Sequence, residues 1–184
     1  MVPLVIESFN WQHGAFLGAT ASSETTAASA GKVGQLRRDP MAMLPFCGYN
    51  MGDYLAHWLK IGKTPGARLP KIYYVNWFRR DANDQFLWPG YGENSRVLKW
   101  IFESCNGTAQ AVETPIGRLP VAGGLDTQGL DISPANLAKL LEVDVEGWLA
   151  EVPMISEFFA GFGDRMPAAL KDEVAQLEQR LRKK

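Results

Sequence analysis

Short apolar runs and helical periodicities divide the chain into both strands and helices. Residues 2–7 and 15–20 are apolar runs separated by a polar stretch, which favours two strands joined by a loop. The clearest strand covers residues 71–78, where aromatic and β-branched side chains of high strand propensity follow one another. Because both of its faces are largely apolar, we expect this strand to lie inside a sheet that is covered on each side.

Apolar residues spaced three or four apart predict five helices. The predicted starts are Asn50, Asn94 or Ser95, Ser133, Asp144 and Pro167. In the helix that begins at Asn94 or Ser95 and ends at Asn106-Gly107, one face should carry Val97, Leu98, Ile101, Phe102 and Cys105. In the last helix, one apolar stripe should carry Leu170, Val174, Leu177 and Leu181.

An unusual aromatic stretch, FLWPGYGENSRVLKW, occupies residues 86–100. Pro89, Gly90 and Gly92 exclude a central strand or a helix interior, so the stretch predicts an exposed loop that leads into a helix. Local chemistry leaves two interpretations open. The aromatic rings either fold back onto the core, or they stack on a planar ligand beside a helix N-terminus that tolerates negative charge.

Residues 19–34, ATASSETTAASAGKVG, are nearly all small. A segment with so little apolar surface to bury holds its folded position weakly, which makes it a candidate mobile loop or lid. The alternative is a helix of small residues packed closely on a neighbouring element.

Composition limits the class of protein. The 184 residues, 46% hydrophobic and 21% charged, can form one domain or a large part of a two-domain enzyme. A net charge of -1 argues against broad binding to nucleic acid or to an anionic membrane. No apolar run approaches the roughly 20 residues that span a bilayer, and the N-terminus does not resemble a signal peptide, so we expect a soluble intracellular protein.

Few residues suited to metal binding or redox chemistry are present. Cys47 and Cys105 are too few for a disulfide framework, and we expect both to be buried reduced thiols. The two histidines show no zinc-type spacing. His13 could act as a base, although a lone histidine in such a position is more often hydrogen-bonded and inert, and we expect His57 to be structural.

Three blocks carry a specific resemblance: PMAMLPFCGYNMGDYLAHWL (residues 40–59), LPKIYYVNWFRRD (69–81) and FLWPGYGENSRVLKWIF (86–102). They closely resemble the C-terminal part of the GTP-dependent phosphoenolpyruvate carboxykinases. The resemblance implies an α/β fold, with a mixed sheet and flanking helices, that is incomplete without an upstream chain. Residues 1–184 would then form the C-terminal portion that contains the guanine pocket and the active-site lid.

The resemblance also implies an activity. These enzymes convert oxaloacetate and GTP to phosphoenolpyruvate, GDP and CO2 in gluconeogenesis; they are cytoplasmic and monomeric, and use Mn2+ together with Mg2+ bound to the nucleotide. The phosphate-loop motif G-x-x-x-x-G-K-[ST] is not found here, and residues 26–33 (TAASAGKV) come nearest to it. We therefore expect the substrate, metal and phosphate-loop portions to lie upstream, with no catalytic or metal-binding residue in this chain.

Four positions match the guanine pocket of that family. Phe78, Phe86 and Tyr91 match the aromatic residues that hold the base, and Asn94 matches the asparagine at its edge. Tyr91 departs from the usual phenylalanine but keeps the ring face. Trp77 and Trp88 should support the wall. Without a phosphate loop, stacking alone suggests binding on the order of millimolar to high micromolar.

The resemblance places the lid in the segment of small residues. Animal members of the family carry an arginine where this chain has Ser22, so a charge role at that position does not transfer. The lid residues would be Thr25, Thr26, Ala27, Ala28, Ser29, Ala30, Gly31 and Lys32.

Two other functions remain open from the sequence. The first is a free-standing, non-catalytic module that binds guanine nucleotides or another partner through the same pocket. The second, binding of single-stranded nucleic acid through the aromatic loop, is disfavoured by the net charge of -1.

Overall fold

The computed structural model describes residues 1–24 and 35–183. The strands are β1 (Val5–Glu7), β2 (Ser22–Glu24), β3 (Leu36–Arg38), β4 (Tyr73–Val75), β5 (Ala111–Thr114) and β6 (Gly117–Pro120). The helices are α1 (Trp11–Ala19), α2 (Met51–Ile61), α3 (Asn94–Cys105), α4 (Pro134–Leu141), α5 (Val145–Ala160) and α6 (Ala168–Arg182).

One sheet has the strand order β4-β1-β6-β5, and β2 pairs with β3 in a separate two-stranded ribbon. The α/β class with flanking helices is confirmed. The described strands pair only in antiparallel fashion, so the expected mixture of parallel and antiparallel pairs is not seen among them. The tight connection between Thr114 and Gly117, which face each other in the β5–β6 hairpin, permits no parallel arrangement.

Gly117 holds this hairpin against β1. Its φ of +139° suits glycine, and an added Cβ would lie 2.4 Å from Cγ2 of Ile6 and 2.7 Å from the carbonyl oxygen of Glu7. Any larger residue would push β6 away from β1.

The predicted strand at residues 71–78 is shorter and differently placed than expected. β4 covers Tyr73–Val75 and lies at one edge of the sheet described here. The side chain of Asn76 ends it, because its amide nitrogen donates to the Val2 carbonyl at 2.9 Å and its oxygen accepts the Phe78 N–H at 3.1 Å. A side chain that bonds to nearby backbone in this way competes with the strand ladder.

The strand predicted at residues 15–20 is wrong, because this run belongs to helix α1. The side chain of Asn10 caps the helix by accepting the backbone N–H of His13 at 2.9 Å. Most of α1 is buried, so its apolar residues show no helical stripe. A short apolar run of this kind cannot be told from a buried strand by periodicity.

Helices α2, α4, α5 and α6 confirm the predicted positions, and Asn50, Ser133 and Asp144 accept the expected capping hydrogen bonds. Helix α3 differs in detail. Its buried positions are Val97, Trp100 and Ser104, whereas Leu98 and Phe102 are exposed. Neither predicted cap residue makes a capping hydrogen bond at its start.

Two apolar clusters pack on opposite sides of β1. Ile6 faces a cluster formed with α1, α2, α5 and α6, in which Phe16 and Phe159 meet edge to face. Val5 faces a second cluster that contains Trp88 and Trp100. The aromatic stretch is thus anchored in the core through these tryptophans. Among the described residues, no helix is long and apolar enough to cross a membrane.

The two cysteines are free, but the expectation that they are buried is wrong: Cys47 is half-buried and Cys105 is exposed. Cys105 lies on the outer side of α3, where it comes within 3.5 Å of the Tyr73 hydroxyl. His57 is exposed on α2.

His13 is buried in α1 as a neutral imidazole. Its Nδ1 accepts the Phe9 backbone N–H at 3.1 Å, so the proton lies on Nε2. Its ring stacks on Phe9 at 4.6 Å. Burial, reinforced by the positive charges of Arg180 and Arg118, lowers the pKa of His13 to about 3. This geometry supports the inert role and not the catalytic base.

Candidate functional site

A tight turn between residues 78 and 86 builds the centre of the site. The carboxylate of Asp81 accepts the backbone N–H groups of Asn83 at 2.8 Å and Gln85 at 3.0 Å. These hydrogen bonds lower the pKa of the Asp81 carboxyl, and the bond from Gln85 has the larger effect. Arg80 and Phe86 then pair across the turn in an antiparallel bridge. The chain therefore folds back on itself directly after β4.

This turn places Phe86 beside Phe78. Their ring centroids are 6.2 Å apart with an interplanar angle of 60°. Both rings face solvent, with 70% of Phe78 and 54% of Phe86 exposed. The guanidinium carbon of Arg80 lies 4.4 Å from the centroid of the Phe86 ring. Large apolar side chains exposed together in this way are typical of a binding surface.

Tyr91 is the third predicted ring and the least supported by the fold. It is 96% exposed, and no aromatic contact joins it to Phe78 or Phe86 among the described residues. Its φ of +47° lies in the left-handed region, directly after Gly90 at +79°. Backbone of this kind costs about 1–3 kcal/mol in a residue other than glycine, and it tends to occur where function requires it.

Asn94 begins α3, and the buried residue Trp88 holds its side chain in place. The indole Nε1 of Trp88 donates to Oδ1 of Asn94 at 2.8 Å. An indole nitrogen is only a donor, so this bond fixes the orientation of the amide. The two N–H groups of Asn94 have no partner among the described residues. Asn94 does not cap its helix, because the 3-10 turn Tyr91–Glu93 runs directly into α3 and Asn94 already has helical backbone angles.

A cleft of about 890 Å³ opens in front of the two phenylalanines. Phe78 and Phe86 line it together with Ser22 of β2 and with Leu36 and Arg38 of β3. Its volume falls in the usual range for small-molecule sites. Tyr91 and Asn94 do not line it. The predicted lid, Thr25 to Lys32, lies outside the described residues, but the strands before and after it reach this cleft.

Metal-binding side chains do not cluster in the part of the chain that the structure describes. Within residues 1–24 and 35–183, no group of three or more histidine, cysteine, aspartate or glutamate side chains could hold a metal ion. The described residues therefore offer no fit for a manganese ion, which the resemblance assigns to upstream parts of the enzyme.

Comparison with known proteins gives the decisive observation. A sequence model of the family described as "Phosphoenolpyruvate carboxykinase C-terminal P-loop domain" matches residues 1–180. The chain belongs to this family. Proteins named phosphoenolpyruvate carboxykinase [GTP] are 54% identical in Paenarthrobacter aurescens (strain TC1), 56% in Neocallimastix frontalis and 53% in Treponema pallidum subsp. pallidum.

Each of these matches covers 98% of the chain but only 30% of the relative, so the chain spans about a third of the carboxykinases that it resembles. The family predicted from the sequence is confirmed over essentially all of the described fold.

Some residues at the site were not predicted from the sequence. Residues 79–85 indicated only a polar turn, yet Arg80 covers the Phe86 ring. Arg38 and Glu151 meet at the cleft although 113 positions separate them in the chain. The bridge across a short turn could have suggested the first contact, whereas no local signal predicts the second.

Proposed function

We propose that this chain forms the guanine-binding wall and active-site lid of a GTP-dependent phosphoenolpyruvate carboxykinase. The complete enzyme would convert oxaloacetate and GTP to phosphoenolpyruvate, GDP and CO2, as a cytoplasmic monomer in gluconeogenesis. The observation that carries the proposal is the exposed pair of Phe78 and Phe86 at the mouth of a nucleotide-sized cleft, in a chain that belongs to this family.

Stacking would supply most of the affinity for the base. Phe78 and Phe86 offer two faces at an angle, and Tyr91 lies nearby in sequence with its ring free in solvent. A base that stacks on an aromatic side chain gains about 1–3 kcal/mol per contact. Arg80 adds a cation over one ring, on the side of the turn. We propose that Tyr91 closes over the base from the 3-10 turn that precedes α3, which its present exposure allows.

Asn94 would determine the specificity for guanine over adenine. Trp88 fixes the amide through its oxygen, and the two N–H groups are without a partner among the described residues, so we take these donors to face the base. Guanine offers the O6 acceptor where adenine offers an N6 amino donor. A fixed donor therefore pairs with guanine and opposes adenine. Trp88 acts only through Asn94 and is a positioning residue.

The lid assignment rests on position. Residues Thr25 to Lys32 connect β2 to β3, and both strands line the cleft that the base would enter. A lid at this place would exclude water from the phosphates during transfer.

The metal chemistry would fall to other parts of the carboxykinase. The metal ions, Mn2+ and nucleotide-bound Mg2+, would supply charge neutralisation there. The described residues hold no suitable group of ligands, so this chain contributes base recognition and closure.

A chimeric enzyme tests the proposal. The part of the Paenarthrobacter aurescens carboxykinase that this chain matches, 30% of its length at 54% identity, would be replaced by residues 1–184. We expect GTP-dependent formation of phosphoenolpyruvate from oxaloacetate, with the KM for GTP raised by Phe78→Ala. A folded chimera without activity would refute the proposal. So would an active chimera whose KM for GTP is unchanged by Phe78→Ala.

A further inference from the structure

Arg38 is the arginine of β3 that faces the nucleotide cleft. Its Cα lies directly opposite Ser22 of β2, so the two side chains share one face of the ribbon. It lines the same cleft as Phe78 and Phe86. Its neighbour Arg37 points elsewhere and lies 3.9 Å from Asp39.

The guanidinium of Arg38 is held in place but not saturated. One nitrogen donates to the Thr20 carbonyl at 3.1 Å, and another donates to the carboxylate of Glu151 on α5. Two of its five N–H donors are thus used, which leaves three without a partner in the described part of the chain. The side chain is only 20% exposed, so an anion that reached it would meet a weakly screened charge.

Other cations of the cleft are placed less well for an anion. Arg79 is buried, and both of its terminal nitrogens contact Glu142. Arg80 lies over the Phe86 ring and pairs with Asp84 at 2.7 Å, so it belongs to the base end. Lys139 lines the cleft but is exposed, and it offers a single flexible charge instead of a planar fork.

We propose that Arg38 binds the polyphosphate of the guanine nucleotide, sharing or exchanging its contact with Glu151. The assignment rests on the proposed function, because it takes the base to lie at Phe78 and Phe86. A planar guanidinium suits two phosphate oxygens at once. Arg38 thereby restores part of the charged affinity that stacking alone lacks. It also ties ribbon β2–β3 to the ligand.

Calorimetry with GTP and guanosine separates the two ends of the ligand. Arg38→Gln should weaken GTP binding by about tenfold and leave guanosine binding unchanged, because a charge-assisted pair with phosphate is lost. Arg37→Gln removes the same charge from the other face of the ribbon and should change GTP affinity by less than about twofold. Glu151→Gln should strengthen GTP binding, since it removes the competing carboxylate.

The outcomes distinguish a failure of the phosphate assignment from a failure of the proposed function. If the unaltered chain fails to bind guanosine, the base pocket itself is wrong. If guanosine binds and Arg38→Gln affects GTP no more than Arg37→Gln, the phosphate assignment alone is overturned. A loss of GTP binding confined to Lys139→Gln would also overturn it. If Arg38→Gln does not fold, Glu151→Gln decides, and an unchanged or weaker GTP affinity in that variant refutes the proposal.

Discussion

The indole Nε1 of Trp88 and Oδ1 of Asn94 form a 2.8 Å hydrogen bond that joins the core to the surface of the site. Trp88 is buried in the second apolar cluster, while Asn94 opens helix α3. The bond fixes the amide, and both N–H groups of Asn94 are without a partner among the described residues. A rigid core residue thus sets the hydrogen-bonding character of a residue at the surface.

Asn94→Asp should weaken GDP binding by about tenfold, because a lost hydrogen bond costs roughly 1–1.5 kcal/mol. The carboxylate still accepts from Trp88 but offers no donor to guanine O6. Thermal unfolding should show unchanged or slightly higher stability, since an acidic residue at a helix N-terminus is favourable. GDP affinity that survives this substitution would show that Asn94 does not read the base.

Phe78→Ala should weaken GDP binding by about 1–3 kcal/mol through loss of a stacking face. Phe102→Ala is the matched control, because Phe102 on α3 is also 70% exposed. Both substitutions should leave the free energy of unfolding nearly unchanged. Equal effects of the two on GDP affinity, measured by calorimetry, would mean that exposure alone explains the result.

Tyr91→Gly should weaken GDP binding without lowering the free energy of unfolding by more than about 1 kcal/mol, because relief of the left-handed backbone offsets the added chain entropy. The side chain is 96% exposed, so little packing is lost. Tyr91→Phe should bind GDP like the unaltered chain. A large loss of stability in Tyr91→Gly, seen by denaturant unfolding, would contradict the solvent-exposed placement of the ring.

His13 should make stability depend on pH. Its pKa is about 3 in the fold and 6.5 in the unfolded chain, so the unfolded state binds the extra proton between these values. The contribution of neutral His13 to the free energy of unfolding is fully present above pH 6.5. It is lost as the pH drops towards 3, by up to about 4–5 kcal/mol. Arg118 and Arg180 oppose the protonated form from the neighbouring strand and helix.

His13→Asn should flatten that dependence between pH 5 and 6.5, a range in which most carboxylates remain ionised. The comparison is the free energy of unfolding in urea for both proteins at matched pH. The same slope in both would assign the effect to other groups.

Several elements could be predicted because their signals are local. Helix α6 has one stripe, from Leu170 to Leu181, and each of its four predicted positions is buried. The closeness of Phe78 and Phe86 follows from a short polar turn after a strand. Helix α1 could not be predicted in this way, because burial on nearly every side removes its periodicity.

The rest of the site depends on tertiary placement. Trp88 bonds to Asn94 only because the core fixes the indole. Asn94 does not act as the predicted cap, because a 3-10 turn at Tyr91–Glu93 extends the helical backbone through it. Arg38 reaches Glu151 only because α5 packs beside the ribbon. The family resemblance supplied the four pocket positions, but it could not show which donors they present.

The most direct test of the account compares GDP with ADP by calorimetry on the unaltered chain. The two nucleotides carry the same phosphates, so Arg38 treats them alike and only the base differs. We predict that GDP binds at least about tenfold more tightly than ADP, since a site built around a fixed hydrogen-bond donor rejects the wrong edge. Equal affinities would contradict guanine recognition by Phe78, Phe86, Tyr91 and Asn94.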